Sequence, residues 1–122
     1  MTIQCDSGNY VCDKQVNVVD VDVLNLEDMV ICKLPFQSKV INMKFCKLKQ
    51  DQPLEFLGTA ELHIQDCQLE EVCQIKGRVN DLHIHKISGG QLDLSKCKVN
   101  NLYIRGDQNV IGISSTTLVI RM

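Results

Sequence analysis

The chain has 122 residues, 44% of them hydrophobic, and a formal net charge of −2. That length suits one domain with a continuous core, and the charge argues against a nucleic-acid binder, whose footprint is a basic patch. With 2 Pro, 7 Gly and no low-complexity run, a disordered chain is not expected either.

The opening residues, Met1-Thr2-Ile3-Gln4-Cys5-Asp6, lack the basic start and apolar run of a secretory leader. No stretch approaches the roughly 18 apolar residues of a membrane span. A cytoplasmic location is therefore expected. Residues 2–5 and 10–12 are two short β-type runs around Asp6-Ser7-Gly8-Asn9, which predicts a hairpin or opening cap over residues 1–15.

From Val16 onward the apolar pattern alternates as in strands. The triplets Leu62-His63-Ile64, Leu82-His83-Ile84 and Leu102-Tyr103-Ile104 stand 20 residues apart. The register extends upstream through Ile41-Asn42-Met43 and Val21-Asp22-Val23. A second strand signal falls about ten residues after each triplet, at Ile31-Cys32-Lys33-Leu34, Leu54-Glu55-Phe56-Leu57, Val72-Cys73-Gln74-Ile75 and Leu92-Asp93-Leu94. Only residues 24–30 are ambiguous. A leucine-rich repeat is excluded, because Leu102 follows Leu92 too soon for its minimum repeat of about 20 residues. The pattern predicts an all-β, right-handed parallel β-helix of about five coils, each of about 20 residues. Residues 1–122 then form one domain, with coils over residues 16–115 and a terminal strand in residues 116–122.

In such a coil the outer residues of each triplet point inward and the middle one outward. Coils stack about 4.8 Å apart, so equivalent positions form ladders. Cys46 and Cys67 should stack inside. Asn42, His63, His83 and Tyr103 should stack outside, with Lys44, Gln65, His85 and Arg105 in the column beside them.

Seven cysteines read as reduced thiols in the core. The spacing of Cys67 and Cys73 fits no usual zinc pattern. His63, His83 and His85 are the sharpest polar constellation. Imidazoles one coil apart could hold Zn²⁺ with a water. The competing reading is a solvated ladder, favoured by the lack of an evident carboxylate second shell. No catalytic set emerges. Ser114-Ser115 lacks the Gly frame of a nucleophile elbow, and Gly89-Gly90 reads as a turn without a phosphate-loop motif. Neither an enzyme nor a cofactor is expected. Acidic residues concentrate before position 30, and basic ones run from Lys33 to Lys98. That asymmetry suits docking of an acidic protein partner.

The turns between triplets carry a family resemblance. Lys76, Gly77, Val79 and Asn80, then Lys86, Gly89, Gln91, Leu94, Ser95 and Lys96, match in order the turns and strands of the C-terminal β-helix (CARP) domain of cyclase-associated protein. Ser38-Lys39-Val40-Ile41 with Cys46-Lys47 resembles an earlier turn and Cys-Lys run of that family, and residues 110–114 resemble its closing apolar strand. The resemblance spans roughly residue 17 to the C-terminus. His85, Ile87 and Ser88 stand where the family has acidic and hydroxyl residues. The resemblance implies a cytoskeletal protein that binds the ADP-loaded actin monomer and promotes its nucleotide exchange. It implies Lys39, Lys76, Arg78 and Lys86 as partner contacts. It also implies a homodimer exchanging the strand in residues 116–122.

Two other functions are weighed beside it. One is a structural β-solenoid that self-assembles or scaffolds, through its unpaired end coils. The other is a tubulin cofactor C-like GTPase activator, which needs an arginine finger. The strand over residues 82–86 carries His83 and His85 at the finger's place, which disfavours it.

Overall fold

The computed structural model describes residues 2–6, 11–12, 22–28, 30–31, 38–49 and 53–122. These form nine strands: β1 (Thr2–Asp6), β2 (Val11–Cys12), β3 (Val23–Glu27), β4 (Val30–Ile31), β5 (Val40–Lys44), β6 (Lys47–Leu48), β7 (Leu54–Arg105), β8 (Val110–Ile111) and β9 (Leu118–Arg121). Every pairing between them is parallel. A parallel partner one coil along, with no helix among the described residues, means that the chain winds. The fold is an all-β parallel β-solenoid of about five turns.

The pairing resolves three faces. On the first, β1, β3 and β5 lead to Glu61 of β7, and β9 pairs with residues 101–104 further along β7. On the second, β2, β4 and β6 lead to Gln68 and Leu69. On the third, Leu92 and Asp93 pair with β8. The buried pairs Leu54 and Phe56, Cys73 and Ile75, and Leu92 and Leu94 supply that face's inner side. The second strand signal of the sequence therefore mixes two faces. Ile31 stacks with Leu48 and Leu69, whereas Leu54, Cys73 and Leu92 lie on the third face. Cys32, Lys33 and Leu34 lie outside the described residues.

The coil length is not constant. On the first face the register runs Thr2, Val23, Val40, Glu61, in steps of 21, 17 and 21 residues, and Asn101 to Leu118 is again 17. The extra residues belong in the connections, where added length costs little. The strands themselves cannot slip, because a shift of one residue would turn every inward side chain outward. This corrects the upstream triplet. Leu24-Asn25-Leu26, not Val21-Asp22-Val23, pairs with Ile41-Asn42-Met43. The ambiguous residues 24–30 contain most of β3 and the start of β4.

The hairpin expected at the N-terminus is corrected in favour of the opening cap. β1 lies parallel to β3 and β2 parallel to β4, so both belong to an opening coil. Two short β runs around a Gly/Asn bend look alike in sequence whether the chain reverses or merely turns a corner. The expected terminal strand forms as β9 and pairs with β7 of its own chain.

The core is the column of inward triplet positions. Leu24, Leu26, Ile41, Met43, Leu62, Ile64, Leu82, Ile84, Leu102 and Ile104 are all buried. Each such side chain is worth about 1.5–3 kcal/mol on burial. Corners have their own repeat. Asp28, Phe45, Asp66, Lys86 and Gly106 each end a first-face strand with φ between 52° and 75°. Four of the five are not glycine, so the left-handed bend is imposed by the winding against local preference.

Candidate functional site

The outward side of the first face carries the expected ladder. Asn42 Nδ2 donates to Asn25 Oδ1 at 2.8 Å. His63 and His83 stack with centroids 4.3 Å apart and planes 11° off parallel. His83 and Tyr103 stack at 4.4 Å and 6°. Parallel in-register strands repeat each side-chain direction, so flat groups at one position are driven face to face. Their faces are occupied by one another, and their edges are left to solvent.

The stack has an electrostatic consequence. Partial burial, and then the neighbouring His63, hold the His83 imidazole below its ordinary pKa, against the opposing pull of Asp81 and Glu61. Two imidazolium rings at this separation repel, so His83 is neutral at pH 7. His63 Nε2 lies 3.5 Å from Glu61 Oε2.

The column beside the rings contains Lys44, Gln65, His85 and Arg105. Lys44 pairs in register with Gln65 and places its Nζ 5.2 Å from the centroid of the Phe45 ring. His63 and His83 do not form a chelating pair, since the in-plane lone pairs of parallel rings run side by side rather than converging. His85 stands in the next column. Among the described residues no three His, Cys, Asp or Glu side chains gather as metal ligands.

The four basic residues implied by the resemblance divide between two borders of the first face. The Lys39 carbonyl accepts from the N–H groups of Ala60 and Glu61 at 2.9 and 3.0 Å, which puts it at the start of this face. Lys76 and Arg78 lead into the same border two coils further on. Lys76 Nζ lies 3.6 Å from Glu55 Oε2. Arg78 lines a groove with Leu57, Gly58, Gly77 and Lys98. Lys86 is elsewhere, at the left-handed corner that ends the face, beside a hollow shared with Phe45, Asp66 and Asp107. The arrangement therefore joins Lys76 and Arg78, sets Lys39 along the same border, and separates Lys86. Sequence reasoning missed Lys98 and the exposed Leu57 as their neighbours. The signal was present, since Lys98 follows Arg78 by one 20-residue period.

The expected internal cysteine stack also forms. The Cys46 thiol donates to the Leu26 carbonyl at 3.3 Å, and Cys67 to the Gln65 carbonyl at 3.3 Å. The hydrogen bond to Cys46, followed by burial, raises the Cys67 pKa. Burial pushes Cys73 and Cys97 up to about 11. The Cys67, Cys73 and Cys97 thiols are protonated at neutral pH, and a protonated thiol is not a nucleophile. Ser114 is engaged locally, its Oγ lying 2.9 Å from Thr116 Oγ1. At Gly90 a Cβ would run into the Glu71 carbonyl, so the Gly89-Gly90 pair serves close passage between coils.

These features define a parallel β-solenoid with a stacked polar face and a basic border. No family model, no curated protein and no solved structure matches the chain.

Proposed function

We propose that this chain is a binding protein whose partner is the ADP-bound actin monomer, and that it promotes nucleotide exchange there without covalent chemistry. The observation that carries this reading is where the resembling segment falls. Lys76, Gly77, Val79 and Asn80 lead into the border where Arg78 and Lys98 flank a groove beside Leu57, whose relative exposure is 67%. An exposed Leu framed by two cations suits a partner that offers an apolar contact ringed by carboxylates. The protonated thiols and the mutually stacked histidines also favour binding over catalysis. Exchange would follow from differential affinity, the solenoid favouring the actin state with the looser nucleotide cleft. Such a protein would work in the cytoplasm, at the cytoskeleton, and a homodimer would present two such borders.

Release of a fluorescent nucleotide from ADP-actin tests this. The wild-type chain should accelerate release, and the Lys76→Ala/Arg78→Ala variant should lose most of the acceleration while keeping its thermal midpoint. An unchanged release rate with excess wild-type protein would end the actin reading. Filaments of the protein alone, seen by electron microscopy, would point to self-assembly. Stimulated hydrolysis by a small GTPase would point to the activator role.

A further inference from the structure

The ring ladder and its neighbouring column enclose a groove that the actin reading leaves unused. Its walls are His63, His83 and Tyr103 on one side and Gln65, His85 and Arg105 on the other. Ile64 and Ile84 contribute its floor, and Met122 stands at one end. All six wall side chains can donate hydrogen bonds, through imidazole N–H, phenol, amide or guanidinium groups. No Asp or Glu side chain lines the groove. The nearby acids lie on the far side of the rings. Glu61 approaches His63 there, and Asp81 Oδ1 accepts from Asn101 Nδ2 at 2.8 Å.

Two of these donors have nothing to do within the chain. Among the described residues, neither the His85 ring nor the Arg105 guanidinium has a hydrogen-bond or ion-pair partner. Elsewhere on the surface, Asn side chains pair along the ladders, as Asn100 does with Asn80 at 2.7 Å. A donor-rich groove with an unpaired guanidinium and no Asp or Glu side chain in its lining is complementary to an oxyanion. Its donors approach from two columns and several coils. That spread matches the three terminal oxygens of a tetrahedral group better than the two of a planar carboxylate.

We infer that this groove binds a small phosphate monoester, held by Arg105 and His85 against the edges of the His83 and Tyr103 rings. The site rests on the opposite border of the face from Arg78 and does not depend on the actin reading.

Amide chemical-shift titrations with glycerol phosphate, inorganic phosphate and sulfate, at fixed ionic strength in chloride, test it. Saturable shifts should be confined to residues 63–65, 83–85 and 103–105. Arg105→Ala should weaken glycerol phosphate binding about tenfold, as expected for a lost charge-assisted contact. His85→Gln should weaken it less, and Arg78→Ala should leave it unchanged. Shifts that fail to saturate or that spread equally to Lys76 and Lys98 would overturn the site, as would an Arg105→Ala variant that binds as well as wild type. Binding of the free anions with no binding of glycerol phosphate would overturn the monoester assignment.

Discussion

Thr59 is buried at 2% exposure, and its Oγ1 finds no hydrogen-bond partner among the described residues. A buried hydroxyl left unpaired carries its full desolvation cost. Thr59→Val keeps the branched shape and removes that cost, so it should raise stability by about 1 kcal/mol, read as a shift in the urea midpoint at unchanged m-value. His83 sets a second residue-scale effect. Its folded-state pKa lies below the ordinary value, so on acidification the unfolded chain takes up its proton first. The stability linked to His83 is therefore whole above pH 6.5 and declines as pH falls towards the folded-state pKa. Melting from pH 8 to pH 5 should show this decline, and His83→Phe, which keeps a flat ring in the stack, should flatten it. The stacked ladder was legible because a 20-residue spacing forces equivalent side chains together, as it does for His63, His83 and Tyr103. The unpaired Thr59 was not, because corner geometry rather than alternation decides that it points inward.

At the scale of the element, the strands obey the sequence pattern and the connections do not. Within the first-face strands over residues 40–44, 61–65, 81–85 and 101–105, inward and outward positions follow from alternation, since a misplaced apolar residue would lose its burial. The steps of 17 and 21 residues escape the same reading, because a connection a few residues longer costs little and leaves the strand register intact. A hydrophobic pattern thus shows that Leu24-Asn25-Leu26 could face inward but cannot place it opposite Ile41-Asn42-Met43. Two corner glycines separate backbone conformation from packing. Gly58 and Gly77 have φ of 95° and 103°, both in the region disfavoured for other residues. Around Gly58 a Cβ would meet open space, whereas at Gly77 it would run into the Phe56 carbonyl. Gly58→Ala should cost about 1–2 kcal/mol, from conformation alone. Gly77→Ala should cost clearly more, by an overlap that backbone movement must relieve. Equal denaturation midpoints for the two variants would contradict this placement of the third-face corner.

Over the whole molecule, each coil touches only its neighbours, so stability accumulates along the axis and the outer ladders are held rigidly from coil to coil. A rigid surface with fixed spacing suits recognition, because little entropy is lost on ordering it. The inside of that surface was readable from the sequence, since burial dictates it. The outside was readable only where spacing aligned like groups, as with Arg78 and Lys98. Nothing in periodicity distinguishes a cation that meets a partner from one that meets water, and so Lys86 was grouped with residues from which the corner separates it. We propose that the border carrying Lys76, Arg78 and Lys98 is the docking surface. The direct measurement is the affinity of the chain for ADP-actin monomers by fluorescence anisotropy at two salt concentrations. Binding should saturate, weaken with salt and fall at least about tenfold with Lys76→Ala/Arg78→Ala, with Arg105→Ala unaffected. Absence of saturable binding, or equal affinity of the double variant and the wild type, would contradict it.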